Sequence, residues 1–176
     1  MDKITELFME EPEKEFHARE ISRLAKLSPT TSSKYLNILL RRGIVTSRKM
    51  TNLVLFKADT ENLSYKAMKR SYNLQRLNQS GLINHLVEEY NEPEAIVLFG
   101  SFDKGEDSKR SDIDLLVVTP LKKTVDVALF EKKLKRTIQI FVHPKKEIES
   151  MKTKNKRLLN NLVNGSVIYG YWEAFR

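Results

Sequence analysis

A continuous apolar run, Ala95-Ile96-Val97-Leu98-Phe99, stops at Gly100-Ser101, and ten residues further on the chain resumes with Asp112-Ile113-Asp114. An apolar run without alternation fits a strand buried on both faces. Glycine lets the backbone approach a phosphate closely, and the serine hydroxyl with the amides that follow can donate to its oxygens. Ser111 to Val118 then reads as a second strand. Side chains alternate across a strand, so Asp112 and Asp114 share one face while Ile113 turns into the core. Two carboxylates held together, one strand from a phosphate-binding turn, form a site for a divalent cation, Mg2+ or Mn2+.

Composition narrows what else could hold a metal. The chain has no cysteine, and His17, His85 and His143 are scattered at spacings unlike a metal cluster, so any ligand must be oxygen. The N-terminal residues lack a basic head followed by an apolar run, and no stretch approaches the ~20 apolar residues of a membrane span, which leaves a soluble, cytoplasmic protein as the expectation. The net charge of +8 is uneven. Seven acids fall in residues 2 to 20, whereas Ile21 to Ala58 has none and contains Arg23, Lys26, Lys34, Arg41, Arg42, Arg48, Lys49 and Lys57. Such a segment attracts phosphate, although a charge run can equally be a solvated face.

The organisation of that segment favours a nucleic-acid partner. Ile4, Leu7 and Phe8 recur at helical spacing before Glu11-Pro12; a second helix begins near Ala18 with Ile21, Leu24 and Ala25 on one face. Lys26-Leu27-Ser28 suits a tight inter-helix turn. Ser28-Pro29 opens a third helix with a capping hydroxyl and a proline at its first position, and Leu36, Leu39 and Leu40 line its inner side up to Gly43. Two β-prone runs follow, Ile44 to Arg48 and Leu53 to Lys57, joined by a turn. This pattern resembles the winged helix-turn-helix family over residues 1–60. The resemblance implies a recognition helix from Pro29 to Arg42 that displays Thr30, Thr31, Ser33, Lys34 and Asn37 to DNA, with Arg48 and Lys49 on the wing. Tyr35 is expected to be half-buried beside Leu36 and Leu39. Winged helices also serve as protein-docking modules.

Residues 61–90 read as a helical connector rich in large side chains: Leu63, Tyr65, Met68, Tyr72, Leu74 and Leu77, then, past Ser80-Gly81, Leu82, Ile83, Leu86, Val87 and Tyr90. Its surplus of apolar positions suggests packing on neighbouring units or on a second copy, a homodimer. His85 is a packing or surface residue there.

Residues 95 to 118 resemble the DNA polymerase β nucleotidyltransferase superfamily, in particular its minimal, archaeal-type members, and Asn164 to Gly170 is similar to the closing segment of those domains. The resemblance implies an α+β nucleotidyltransferase fold over residues 91–176, a mixed sheet with flanking helices. It assigns Gly100 and Ser101, with Ser111, to the nucleotide phosphates and Asp112 and Asp114 to catalysis and metal binding. Where the family commonly has Ala-Arg-Gly after the serine, this chain has Asp103-Lys104-Gly105, so Lys104 stands in for the arginine and Asp103 is an extra negative charge. The next strand, Thr137 to Val142, has Gln139 where the family usually places a third carboxylate. An amide adds no charge and cannot act as a general base. Asp126 belongs to a crossover helix, and His143, just past the strand, is a turn residue close enough to the site to watch. Lys145, Lys146, Lys152, Lys154, Lys156 and Arg157 read as a solvated face that could widen a substrate surface.

Two functions follow from this resemblance. One is transfer of a nucleoside monophosphate from a nucleoside triphosphate to a hydroxyl of a protein, nucleic acid or small molecule. The other is a DNA-binding regulator whose nucleotidyltransferase domain has lost chemistry and senses nucleotide.

Overall fold

In the computed structural model, which describes residues 1–173, two compact units divide between Tyr72 and Asn73. The first unit is built on helix signals that the chain places at each start. Helix α1 (Lys3–Glu10) is capped by Asp2, whose carboxylate accepts from the Thr5 amide at 3.0 Å. Strand β1 (Phe16–His17) leads into α2 (Ala18–Ala25), where the His17 ring accepts from the Glu20 amide and Lys26, in the left-handed region at φ 56°, ends the helix. Helix α3 (Pro29–Arg41) begins with the Ser28 cap at 3.1 Å from the Thr31 amide and with proline in its first turn.

Strands β2 (Val45–Met50) and β3 (Leu53–Ala58) form the expected hairpin, and the short β1 adds to its edge, giving the order β1-β3-β2. Two residues were too few for periodicity to reveal β1. The core gathers Ile4, Phe8, Ile21, Leu36, Leu39 and Phe56, with Phe8 and Phe16 edge to face at 5.5 Å.

The helical stretch 61–90 falls partly in each unit. Helix α4 (Leu63–Ser80) gives Tyr65 and Tyr72 to the first core and Leu77 to the second. The Tyr65 hydroxyl donates to Phe8 O at 3.2 Å, and the buried Lys69 ammonium donates to Met9 O at 2.6 Å, in the last turn of α1. Gly81, at φ 84°, separates α4 from α5 (Leu82–Glu89), which buries Leu82 and Leu86. Most of the apolar positions that suggested a homodimer are thus buried within the chain, although Leu63 remains 82% exposed.

The second unit is a four-stranded mixed sheet flanked by helices. Strand β4 (Ala95–Phe99) turns into the short α6 (Gly100–Lys104); β5 (Ile113–Val118) crosses through α7 (Ala128–Leu134) to β6 (Ile138–His143); α8 (Lys145–Lys154) and α9 (Lys156–Val163) precede β7 (Ser166–Gly170). The order is β6-β5-β4-β7, with β5 and β6 parallel and β4 antiparallel to both its neighbours. Both central strands are apolar throughout their buried length because each face meets helices. Ile96, Leu98, Ile113, Leu115 and Val117 pack with α5 and α7, while Ala95, Val97, Leu116 and Val118 pack with α8 and α9.

Gly165 admits β7 to this sheet. A Cβ there would lie 2.6 Å from Leu98 O and 2.9 Å from the Phe99 Cβ. Backbone cannot yield as a side-chain tip can. We therefore expect Gly165→Ala to lower unfolding free energy by about 1–3 kcal/mol, measured by denaturant titration.

Candidate functional site

The site arises from strand register. Across β4 and β5 Phe99 stands opposite Asp114, and across β5 and β6 Asp114 stands opposite Gln139. The residue after Phe99 is therefore delivered against the Asp114 side chain. Gly100 has φ +80°, a left-handed conformation that favours glycine, and a Cβ on it would collide with Asp114 Oδ2. The missing side chain leaves that carboxylate oxygen uncovered on the α6 side. Ser101 follows, partly exposed, and its hydroxyl makes no hydrogen bond among the described residues.

Strand β5 begins one residue later than Asp112, at Ile113, whose amide opens the ladder by donating to Thr137 O at 2.9 Å. Ser111, expected in the strand, instead closes a turn. Its amide donates to Ser108 O at 3.2 Å, and its hydroxyl accepts from the Ser108 amide at 3.0 Å. Asp112 and Asp114 are both partly buried. Burial, and then the neighbouring Asp112 charge, push the Asp114 carboxyl above the usual carboxylate range. Gln139 Nε2 donates to Asp112 Oδ2 at 2.5 Å. Among the described residues no group of three histidine, aspartate or glutamate side chains is placed to share a metal. The donor set is two carboxylates beside an amide.

The other candidates separate from this centre. Asp103 is buried and accepts from the Ser166 hydroxyl at 2.6 Å, so the extra negative charge is directed to β7. Lys104 is exposed at the end of α6. Asp126 Oδ1 accepts from the Ala128 amide at 2.9 Å at the start of α7. His143 is the last residue of β6, opposite Val118, five residues along the ladder from Ile138, and it bonds Glu147 at 3.0 Å. The parallel pairing carries it to the far end of β5 from Asp112, which corrects its expected closeness.

Three buried residues that sequence reasoning did not single out secure the loop before Asp112. Arg136 Nη2 donates to Asp107 Oδ2 at 3.0 Å and its Nη1 to Ser108 O, while Asn73 Nδ2 donates to Asp107 Oδ1 at 2.6 Å and to Phe102 O at 2.9 Å. Asp107 lies in a polar loop and Arg136 in a lysine-rich stretch, so no local pattern distinguished them.

In the first unit, Thr30, Ser33, Lys34 and Asn37 are exposed along α3 and Lys49 is exposed on β2. Thr31 is half-buried, with its hydroxyl 2.8 Å from the Ser28 cap. Arg48 is not free. Its guanidinium grips Glu15 at 2.7 and 2.6 Å and holds that carboxyl below its usual range. Tyr35 is more exposed than expected, at 39%, because its side of α3 also presents Ile38.

The family described as polymerase beta, nucleotidyltransferase matches residues 82–173, more than half of the chain. No curated protein and no solved structure matches it.

Two outcomes follow from these contacts. Arg136→Ala strands a buried carboxylate and is expected to cost about 3–5 kcal/mol in a denaturant titration. For Asp114, a folded-state pKa above the unfolded one means that its contribution to stability is fully present below the unfolded pKa and lost as pH rises through the folded value. Asp114→Asn should therefore raise the melting temperature of metal-free protein near neutral pH, with the gain vanishing below the carboxylate range.

Proposed function

This chain belongs to the polymerase β nucleotidyltransferase family, and from that premise we propose that its second unit transfers a nucleoside monophosphate from a nucleoside triphosphate to an acceptor hydroxyl. The observation that supports this most is the register that sets Gly100 against Asp114 while Asp112 lies beside it. These residues fit one divalent cation, Mg2+ or Mn2+. Two hard-oxygen carboxylates supply the ligands, and the bare Cα of Gly100 leaves one oxygen open. Bound there, such a cation would neutralise phosphate charge and align the triphosphate for in-line attack.

The chain's own groups do the rest. The Ser101 hydroxyl is available to donate to a phosphate oxygen, and Lys104 adds a mobile positive charge from the end of α6. Ser111, through the turn it closes with Ser108, sets the approach of Asp112. Asp103 is buried and its carboxylate is held by the Ser166 hydroxyl on β7. Gln139 cannot take up the acceptor proton, which leaves to solvent. The Gln139–Asp112 bond also favours a second reading, in which the site binds nucleotide without turnover and reports it to a DNA-binding unit.

For the first unit, the three helices and three-stranded sheet support a winged helix-turn-helix, with duplex DNA as partner. Thr30, Ser33, Lys34 and Asn37 are its contact residues on α3. On the hairpin Lys49 is exposed and available, whereas Arg48 holds Glu15.

Incubation with labelled nucleoside triphosphates, Mg2+ or Mn2+ and candidate acceptors should give label transfer that falls about 100-fold or more in Asp112→Asn and Asp114→Asn. No transfer and no nucleotide binding by calorimetry would overturn the enzymatic reading. Nucleotide binding without transfer would establish the second. A gel shift of duplex DNA should weaken with salt and with Lys34→Glu; no shift at low salt removes the DNA partner.

A further inference from the structure

Gln139 sits on β6, an edge strand of the sheet, and its side chain is exposed to solvent. An exposed glutamine has water to bond and loses rotamer freedom when it is fixed, so a committed side-chain contact there needs a cause. The cause is charge: Asp112 is a carboxylate with a second carboxylate two residues away, and the amide gives it a donor at 2.5 Å. A carboxylate only accepts, which fixes the amide orientation. Nε2 faces Asp112, and the carbonyl Oε1, the one atom of glutamine that could ligate a cation, is turned away from that oxygen. The bond takes up one acceptor site of Asp112 and draws its charge toward the amide, so a cation approaching that carboxylate competes with Gln139.

We propose that Gln139 is a latch on Asp112: its amide engages Oδ2 of a carboxylate that a divalent cation would use, so amide and cation compete for Asp112 and cation binding releases Gln139. The inference rests on the reading that Asp112 and Asp114 bind a divalent cation. It differs from the view of Gln139 as a weak substitute ligand, in which Oε1 would join the cation, and from that of a passive edge residue. The latch leaves Asp112 held in position before a cation arrives, and it lowers the affinity of the two carboxylates for the bare ion.

The three views predict opposite or null effects of one substitution. Mn2+ is titrated into the full chain by calorimetry, without nucleotide, for the wild type, Gln139→Ala and Gln139→Asp. Because Gln139 is exposed, both variants should keep the wild-type thermal transition. The latch predicts that Gln139→Ala binds Mn2+ about three- to tenfold more tightly than wild type, since a competing charge-assisted hydrogen bond is gone. Weaker binding by Gln139→Ala makes the residue a ligand, and unchanged binding makes it passive; either result overturns the latch. Gln139→Asp adds a charged ligand and tightens binding under every view, so it reports separately on the carboxylate pair. If Gln139→Asp also binds no Mn2+, the cation reading falls and the latch with it. In a nuclear magnetic resonance titration of the wild type with Mg2+, the Gln139 side-chain amide signals should move as the bond to Asp112 breaks; signals that stay fixed through saturation would likewise overturn the latch.

Discussion

The antiparallel register of β4 against β5 is the constraint on which the second unit depends. Fixing Phe99 opposite Asp114 determines which residue must lack a side chain, where α6 can begin, and which carboxylate is pressed out of water. A slip of one residue would exchange the two faces of β5, turning Ile113 out and both aspartates toward the α5 and α7 core. The apolar runs of β4 and β5, buried on both faces, hold the register firmly, since nearly every alternative leaves large side chains unburied. The site is therefore specified by aliphatic packing before any polar contact is considered.

Polar contacts then refine what packing has placed. The Arg136–Asp107 pair, with Asn73, fastens the loop that leads to Asp112, and the Ser166 hydroxyl on β7 holds the Asp103 carboxylate of α6. Each uses a partner distant in sequence and near in space. What remains at the centre is an excess of negative charge relieved by one neutral amide.

That division explains what the sequence could disclose. Local periodicity marked α1, α2, α3 and the buried strands, because caps and apolar spacing act within a few residues. It marked Gly100, Asp112 and Asp114 because strand alternation and the break after Phe99 are local too, whereas Gln139 stood out only through the resemblance to the nucleotidyltransferase superfamily. It did not disclose β1, two residues long, or the late start of β5, where a turn closed by Ser108 competes with strand propensity. Nor could it show that Arg48, in a stretch free of acids, grips Glu15 across 33 residues, that His143 is carried away from Asp112 by parallel pairing, or that the apolar residues of 61–90 divide between two cores.

Strand β7 places a demand of another kind on the chain. It completes β4 along the edge opposite β5, yet it follows β4 only after α6, two further strands and three helices have been traversed. Closing so long a loop carries an entropic penalty that must be met before any of the β4–β7 hydrogen bonds form. Until then β4 keeps an open, apolar edge beside the nucleotide turn, a surface able to pair with other extended chains. The strand that holds the phosphate turn is thus the one whose completion is slowest, and the first unit, whose sheet lies within residues 16–58, has no comparable wait.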